Sequence, residues 1–417
     1  MPAKETASAW TEAMLRFRFA GQVTTALAVV GWLCWFFPFD DLVDRSGTPL
    51  GGDYVMLYVA GQVVADGAAN ELYDDAKNQL RSSRLFAGMD PLESWPYRYP
   101  PTVATAMVPL SALPIAWSFA LFALIQLSLL AVTLWLLQQN YSLFHQRAAW
   151  LWAMAGSPLV LESLIGGQSS LFGLACVVGC LHFLRRDNQL MAGILLALTL
   201  YKPNVAALLI VAALVVRPGL WLGFLPTVAA GLAIALWTTG ISGLLQYLQL
   251  ASHLASAQWS LETPFWKVHG LSPMLQWILP EHGKLACAAV GITISLAIAT
   301  CWRCGRLHDL LAVALLLCSN ALFNPYVPIY DLVLLELALV LVCQAAYQGV
   351  LENHSVAALQ WTLGLLFVGP HLSQALARPL GCQIFPLLLS GAILAAATYE
   401  WRLRAKKSII RLAHCDR

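Results

Sequence analysis

The feature that most constrains this chain is a series of apolar runs, nearly free of charge, that recur along its length. Such runs predict membrane-spanning helices, because about 20 apolar residues cross the hydrocarbon core of a bilayer. Only 11% of the 417 residues are charged, against roughly 25% in soluble domains, so a soluble globular fold, a disordered chain and a coiled coil are excluded. The thirteen runs are 19–38, 101–114, 115–137, 148–165, 168–184, 190–201, 204–216, 220–238, 285–302, 309–323, 326–346, 355–370 and 380–400.

Basic residues in the short connections set the predicted topology. They include Arg147, Arg185, Arg186, Arg217, Arg303 and Arg306, with others before the first run and in the tail. All share one side of the membrane if the run 101–114, which four prolines bracket or break, does not cross it. The sequence therefore predicts an all-α polytopic membrane protein with about twelve transmembrane helices. We expect both termini in the cytoplasm and the protein in a bacterial-type inner membrane.

Two polar stretches interrupt the apolar pattern, and both are placed on the outer face. The first contains a helix-like run from Tyr54 to Ala65 besides the run 101–114, which predicts juxtamembrane helices. Its segment 39–100 holds 15 of the chain's 46 charged residues, ten of them acidic. The expected organisation is a single integral membrane domain over 1–417, with outer loops 39–114 and 239–284 and a basic cytoplasmic tail at 401–417.

The runs 190–201 and 204–216 are each too short to cross the membrane alone, and Lys202-Pro203 stands at their junction. Two short helices that meet at membrane depth are tolerated where their tip lines protein or a water-filled cavity. A lysine there costs roughly 2.5–3.5 kcal/mol on insertion scales, so it needs an acidic partner or an anionic ligand. The candidate partners are Asp331, Glu162 and Glu336, and the candidate ligand is a phosphate.

Several polar residues near the outer face have both a structural and a functional interpretation. Asp53 follows Gly51-Gly52 and is either a helix N-cap or a general base, and the two roles are compatible. Arg98 is either an interface residue or an anion ligand. Gln168 follows two glycines and is interpreted as the solvated cap of a tight turn. Lys267 and His269 are interpreted as solvated residues of the second outer loop.

Neither nucleic acid nor a metal ion is implied by the charge or the cysteines. The net charge is only +2, which gives no reason to expect a nucleic-acid partner. Cys301 and Cys304 form a CxxC, but no second Cys or His pair stands at ligand spacing, and the polar loops contain no Cys for a disulfide framework. A divalent ion in the acidic loop has no supporting ligand spacing. No metal or cofactor is firmly implied, a divalent ion in the acidic loop stays an open alternative, and membrane lipids are expected partners.

Five short motifs follow one another in the order typical of glycosyltransferase family 87, and the chain resembles that family over about residues 50–335. Ser169 stands where the family commonly has Asn, and the last motif lacks the His of an alternative family form. The motifs are Gly52-Asp53-Tyr54 with Leu72-Tyr73-Asp74; Tyr99-Pro100-Pro101 through Pro109-Leu110 and Leu113-Pro114; Gly167-Gln168; Gly193-Ile194 through Tyr201-Lys202-Pro203; and Pro325-Tyr326 with Tyr330-Asp331-Leu332.

The resemblance implies an enzyme of the GT-C fold that moves a sugar, typically mannose, from a polyprenyl-phosphate donor to a glycolipid or glycan acceptor at the outer face. It implies that Asp53 is the catalytic base of an inverting displacement, for which one base suffices because polyprenyl phosphate is a good leaving group. At a helix N-terminus, the pKa of Asp53 is expected to be lowered. The residues implied for donor-phosphate or substrate binding are Lys202, Arg98, Tyr99, Gln168, Tyr330, Asp331 and Lys267.

Other functions are compatible with the same sequence. Within the enzyme class, the sugar is alternatively arabinose, glucose or galactose, since a few hydroxyl contacts decide the choice. Outside it, a lipid or solute transporter also has buried charges and broken helices, although no internal repeat is found. A non-catalytic envelope assembly protein has no positive sign in the sequence.

Overall fold

The computed structural model describes residues 42–43, 48–86, 96–146, 154–256, 265–351 and 356–395, with single positions between 19 and 30. Within these ranges the secondary structure is helical apart from two isolated β-bridges, Val43 with Pro49 and Val268 with Pro328. The predicted all-α class is confirmed. Both termini, the tail 401–417 and Arg147 lie outside the described residues.

The described part of the chain from residue 54 onward contains α-helices together with single-turn 3₁₀ helices. They are α1 (Tyr54–Ala65), α2 (Asp75–Leu85), α3 (Pro101–Ser111), α4 (Ile115–Asn140), α5 (Ser142–Gln146), α6 (Pro158–Ile165), α7 (Ser170–Leu184), α8 (Gln189–Leu198), α9 (Ala207–Val216), α10 (Trp221–Ser256), α11 (Ser272–Ile278), α12 (Gly283–Arg303), α13 (Asp309–Phe323), α14 (Val333–Tyr347), α15 (Val356–Leu380) and α16 (Phe385–Ala395).

Four of the described helical segments are long and apolar enough to cross a membrane: Ile115–Asn140, Pro218–Leu254, Gly283–Arg303 and Ile329–Tyr347. Six more apolar helices have 10–17 residues. The chain is therefore a helical membrane protein, and the number of twelve crossings stays a prediction. The segment that contains α14 is 83% buried, whereas Trp117 on α4 and Trp237 on α10 are 72% and 86% exposed. α14 thus lies in the core, whereas α4 and α10 carry exposed apolar side chains, as helices that face lipid do.

Helices α1 and α3 pack together and form the core of the first outer loop. Gly61 permits the close approach, because a Cβ there would stand 2.8 Å from the carbonyl oxygen of Met107. The hydroxyls of Tyr54 and Ser118 lie 2.6 Å apart and join α1 to α4. α3 has 11 residues and is about 16 Å long, about half the thickness of the hydrocarbon core. Its length therefore suits a juxtamembrane helix.

The predicted outer loop 239–284 begins with a helix, because α10 continues past residue 239 to Ser256. The helix kinks at Gly240, whose φ of 65° and ψ of −177° are values that favour glycine. Beyond the kink, the ring of Tyr247 packs 6.1 Å from that of Tyr73 in the first outer loop. Polar residues there recur at a spacing of three to four, which is a helical period. They are Gln246, Gln249 and His253.

The broken helix pair formed by α8 and α9 is confirmed. Two single-turn 3₁₀ helices, Thr199–Tyr201 and Pro203–Val205, lie between them. Asn320 of α13 bonds the unwound backbone: its Nδ2 donates to the carbonyl oxygens of Asn204 and Val205 at 3.0 and 2.9 Å. The protein thus supplies the partners that irregular backbone needs inside a membrane bundle.

Candidate functional site

The candidate base Asp53 stands where the first outer loop meets the turn before α7. Its backbone N–H donates to the carbonyl oxygen of Gly166 at 3.1 Å. Glycine is needed on both sides of this contact. Gly51 has a φ of 86°, and a Cβ at Gly167 would stand 2.0 Å from the carbonyl oxygen of Gly51. A side chain at Gly167 would therefore push the loop that carries Asp53 away from the turn.

The side chain of Asp53 makes no capping hydrogen bond to its own helix and instead accepts one from Gln168 Nε2. Gln168 is 1% exposed, and its Oε1 accepts from the Tyr99 hydroxyl at 3.4 Å. The interpretation of Gln168 as a solvated cap is therefore wrong, because its side chain enters the protein. Asp53 as a residue remains partly exposed, and the bond from Gln168 orients its carboxylate.

Opposing effects act on the pKa of the Asp53 carboxyl. Burial is the largest and raises this pKa, and the charge of Glu162 acts in the same direction. The charges of Lys267 and Lys202 lower it, as does the hydrogen bond from Gln168. The net result is a raised pKa, so the expectation of a lowered pKa is wrong, because loss of water outweighs the two lysine charges and the hydrogen bond. A raised pKa makes the carboxylate a stronger base.

Lys202 forms a buried ion pair with Asp331, one of the three partners that the sequence suggested. Lys202 Nζ lies 2.7 Å from Asp331 Oδ1, and the two residues are 7% and 4% exposed. Ser170 Oγ donates to the same oxygen at 2.6 Å, and Asn204 Nδ2 donates to the other at 3.0 Å. Lys202 Nζ also lies 4.4 Å from the ring centroid of Tyr330. The pair therefore ties the broken helix tip to the start of the buried span that contains α14.

Tyr99 stands between the Asp53 contacts and the ion pair. Lys202 Nζ lies 5.9 Å from its ring centroid, and the Tyr201 ring stacks on it with centroids 6.5 Å apart. Because the Tyr99 hydroxyl also bonds Gln168, this ring joins the two halves of the site. The structure thus brings together six predicted residues, Asp53, Tyr99, Gln168, Lys202, Tyr330 and Asp331.

The second outer loop contributes one cation and one buried imidazole. Lys267 is exposed at the end of the 3₁₀ helix Phe265–Lys267, and its charge acts on Asp53. His269 is buried, and its backbone N–H donates to the carbonyl oxygen of Val327 at 2.8 Å. Burial lowers the pKa of His269 to about 4, so it is neutral at physiological pH. The interpretation of His269 as a solvated residue is wrong, and Lys267 is the lysine of this loop whose charge acts on Asp53.

Arg98 has a structural partner in the first outer loop. Its guanidinium donates to both carboxylate oxygens of Asp75, at 3.2 and 2.9 Å, and the two side chains are partly exposed. The ion pair favours the structural interpretation of Arg98 over that of an anion ligand.

We expect Arg98→Gln to leave the activity of the protein nearly unchanged, because an exposed ion pair contributes roughly 0–1 kcal/mol to stability. Initial rates measure the effect, with Asp75→Asn as the control that breaks the same pair. A loss of donor affinity in Arg98→Gln alone would restore Arg98 as a phosphate ligand.

The other ionisable groups at membrane depth have partners of their own. Glu336 bonds the Ser157 hydroxyl, and His182 Nδ1 lies 3.0 Å from Asn140 Oδ1. Among the described residues, no three His, Cys, Asp or Glu side chains stand together as a metal site.

Several residues of the site have little signal in the sequence. Ser170 and Asn204 bond Asp331, but small neutral polar residues are common in apolar runs. His371 Nε2 lies 3.7 Å from Glu162 Oε2, and the charge of Glu162 in turn acts on Asp53. The one usable signal is the position of Asn204 at a helix break, since a polar side chain at membrane depth needs a partner.

Comparison with known proteins bears on the same segment of the chain. The family model Glycosyltransferase family 87 matches residues 97–327, and no curated protein or solved structure matches significantly. The matched segment begins after Asp53 and ends before Asp331. The roles assigned to these two residues therefore rest on the geometry of the site. Because the match covers more than half of the 417 residues, the chain belongs to glycosyltransferase family 87 and is a membrane glycosyltransferase.

Proposed function

We propose that the protein transfers a hexose, mannose in the first instance, from a polyprenyl-phosphate donor to a glycolipid or glycan hydroxyl at the outer face of a bacterial-type inner membrane. The observation that carries this proposal is the Asp53 carboxylate, held by Gln168 Nε2 and acted on by the charges of Lys267 and Lys202. One base beside cations suits direct displacement of a phosphate leaving group. Family membership favours an enzyme over a transporter.

Asp53 acts as the general base in this mechanism. It accepts the proton of the acceptor hydroxyl while the acceptor oxygen bonds to the anomeric carbon of the sugar. The bond from that carbon to the phosphate oxygen breaks, and polyprenyl phosphate leaves with the electron pair. Attack and departure lie on opposite faces of the sugar, so the configuration inverts. No second carboxylate is needed as a general acid, in contrast to most glycoside hydrolases.

The two lysines have different parts. Lys202 is bonded to Asp331, so its charge is balanced within the protein, and it holds the site around Tyr330 and Tyr99. Lys267 is exposed, and we assign it to the donor phosphate, where it stabilises the charge that grows on the leaving group. The main phosphate contact thus moves from Lys202, which the sequence favoured, to Lys267.

Lys267→Gln is expected to lower kcat/KM for the donor about 10- to 100-fold, because a hydrogen bond to a charged group contributes about 1.5–3 kcal/mol. It should also move the acid limb of the pH–rate profile to higher pH, since the Lys267 charge lowers the pKa of Asp53. The control is Lys77→Gln, which removes an exposed lysine paired with Glu71. An unchanged kcat/KM for the donor would remove Lys267 from the phosphate role.

Sugar transfer by the purified protein tests the proposed function. The protein is incubated with radiolabelled polyprenyl-phosphate mannose and host lipid extract, with EDTA in a parallel reaction that reports any need for a divalent ion. A labelled product that requires Asp53 would support the proposal. Product only from a polyprenyl-phosphate arabinose, glucose or galactose would keep the mechanism and change the sugar. Folded protein that transfers from none of these donors would contradict the proposal and favour a transporter.

A further inference from the structure

A cavity lies at the end of the bundle opposite to the candidate active site. α7 begins at Ser170, whose hydroxyl bonds Asp331, and it ends at Leu184, about 21 Å away along the helix. Around that far end, a cavity of about 270 Å³ opens among the ends of α4, α7, α9, α12, α13 and α14. Its volume is close to the lower limit of small-ligand pockets, about 300 Å³, which suits a compact head group.

The turns around this cavity are basic. Residues 185–188, 217–218 and 303–309 contain five arginines and two aspartates, which leaves an excess of three positive charges. Arg217 Nη2 lies 3.6 Å from Asp309 Oδ2, and both side chains are exposed. Trp302 Nε1 donates to the same aspartate at 2.7 Å. The carboxylates of these turns therefore do not balance the arginines, and the excess positive charge around the cavity favours an anion there.

Arg185 lines the cavity, and two contacts hold its guanidinium in place. Its guanidinium carbon lies 4.3 Å from the centroid of the Tyr141 ring, and Nη1 donates to the carbonyl oxygen of Asn140. A guanidinium held in this way loses little freedom when it binds, and its planar fork matches a phosphate.

The floor of the cavity is apolar, and it consists of Leu181, Leu184, Leu310, Val313 and Leu341. An apolar floor below a basic rim, at the ends of membrane helices, fits a ligand with a phosphate and attached acyl chains. We propose that this cavity binds the head group of an anionic phospholipid, with Arg185 and Arg217 on the phosphate. The arginines that define the site are those that the positive-inside rule predicts to be cytoplasmic. The lipid therefore belongs to the leaflet opposite to the proposed sugar donor.

Thermal unfolding and native mass spectrometry of the full chain in neutral detergent test this proposal. Short-chain phosphatidylglycerol is expected to raise the unfolding temperature, because it binds the folded state, and to stay bound in the mass spectrum. Phosphatidylcholine with the same chains should do neither. Equal retention of the two lipids would overturn the proposal. Saturation of the site by inorganic phosphate alone would overturn the assignment to a lipid.

Charge-matched variants locate the site. Arg217→Gln is expected to weaken phosphatidylglycerol binding about fivefold, the share of one basic residue near an anionic membrane surface. Arg185→Gln should weaken phosphatidylglycerol binding at least as much. Because Arg185→Gln also removes the contact with Tyr141, it could unfold the protein, and Arg217→Gln is then the decisive variant. Arg84→Gln, an exposed arginine in the last turn of α2, should bind as the unaltered protein does. An equal loss in Arg84→Gln would overturn the location.

Discussion

Asp53→Asn is expected to lower the rate of sugar transfer about 100- to 10,000-fold, the contribution of a positioned general base. The amide oxygen of the variant can still accept from Gln168 Nε2, so the loss would report the missing proton acceptor and not a displaced loop. Initial rates at saturating donor and acceptor measure it. The matched control is Asp66→Asn, which removes a carboxylate at the other end of α1, where Asp66 pairs with Arg81; it should remain active.

Asp53→Asn is also expected to preserve or raise Tm. Burial raises the pKa of Asp53, so the ionised carboxylate costs folding free energy at every pH above the pKa of the unfolded state. A neutral amide removes that cost. In the unaltered enzyme, activity should fall as the pH is lowered through the raised pKa, because protonated Asp53 cannot accept a proton. An Asp53→Asn protein that keeps full activity would exclude Asp53 as the base.

Lys202→Met is expected to destabilise the protein by about 3–5 kcal/mol, because it leaves an unpaired buried charge on Asp331. That loss is a large part of the roughly 5–15 kcal/mol by which proteins are stable. Asp331→Asn should have a similar effect, since Lys202 then loses its carboxylate. Tm and the yield of monodisperse protein measure both changes. Unchanged values in either variant would show that the pair does not hold the helix tip.

The double variant Lys202→Met/Asp331→Asn separates the structural role of Lys202 from contact with the donor. Replacement of both members of a buried pair is often neutral, so the double variant should be more stable than either single variant, with a large coupling energy. We expect its donor KM to stay within about tenfold of the unaltered value, the lower bound for loss of a charged hydrogen bond, because we assign the phosphate to Lys267. A larger rise in donor KM would return the phosphate contact to Lys202.

The fold was predictable where local signals are strong. α4 (Ile115–Asn140) and α13 (Asp309–Phe323) follow the runs 115–137 and 309–323, because an uninterrupted apolar run has few alternatives to a helix. The helix over 241–256 was not predictable, because the polarity of this segment resembles that of a loop. Packing on the first outer loop stabilises the helix there. The number of crossings does not follow from helix length, since six of the described apolar helices have only 10–17 residues.

The site was predictable only in part, for a physical reason. The partner of Lys202 could be narrowed to three carboxylates, because a lysine at membrane depth requires one. The hydrogen bond between Gln168 and Asp53 could not be predicted, because it joins residues that are 115 positions apart. The sequence also does not show which way a side chain after two glycines points. The prediction of a lowered pKa for Asp53 failed for a related reason. The helix dipole is a local feature that the sequence shows, whereas burial exists only in the assembled protein.

The contact between the Asp53 amide and the Gly166 carbonyl has a consequence for biogenesis, because it joins segments that are 113 residues apart. At 5–20 residues per second, the first outer loop is synthesised about 6–23 s before the turn that receives it. During that interval the loop is without its partner surface and depends on its own packing of α1 on α3. The centre is complete only once residue 331 has been inserted, so a chain that stops earlier would enter the membrane without a working site.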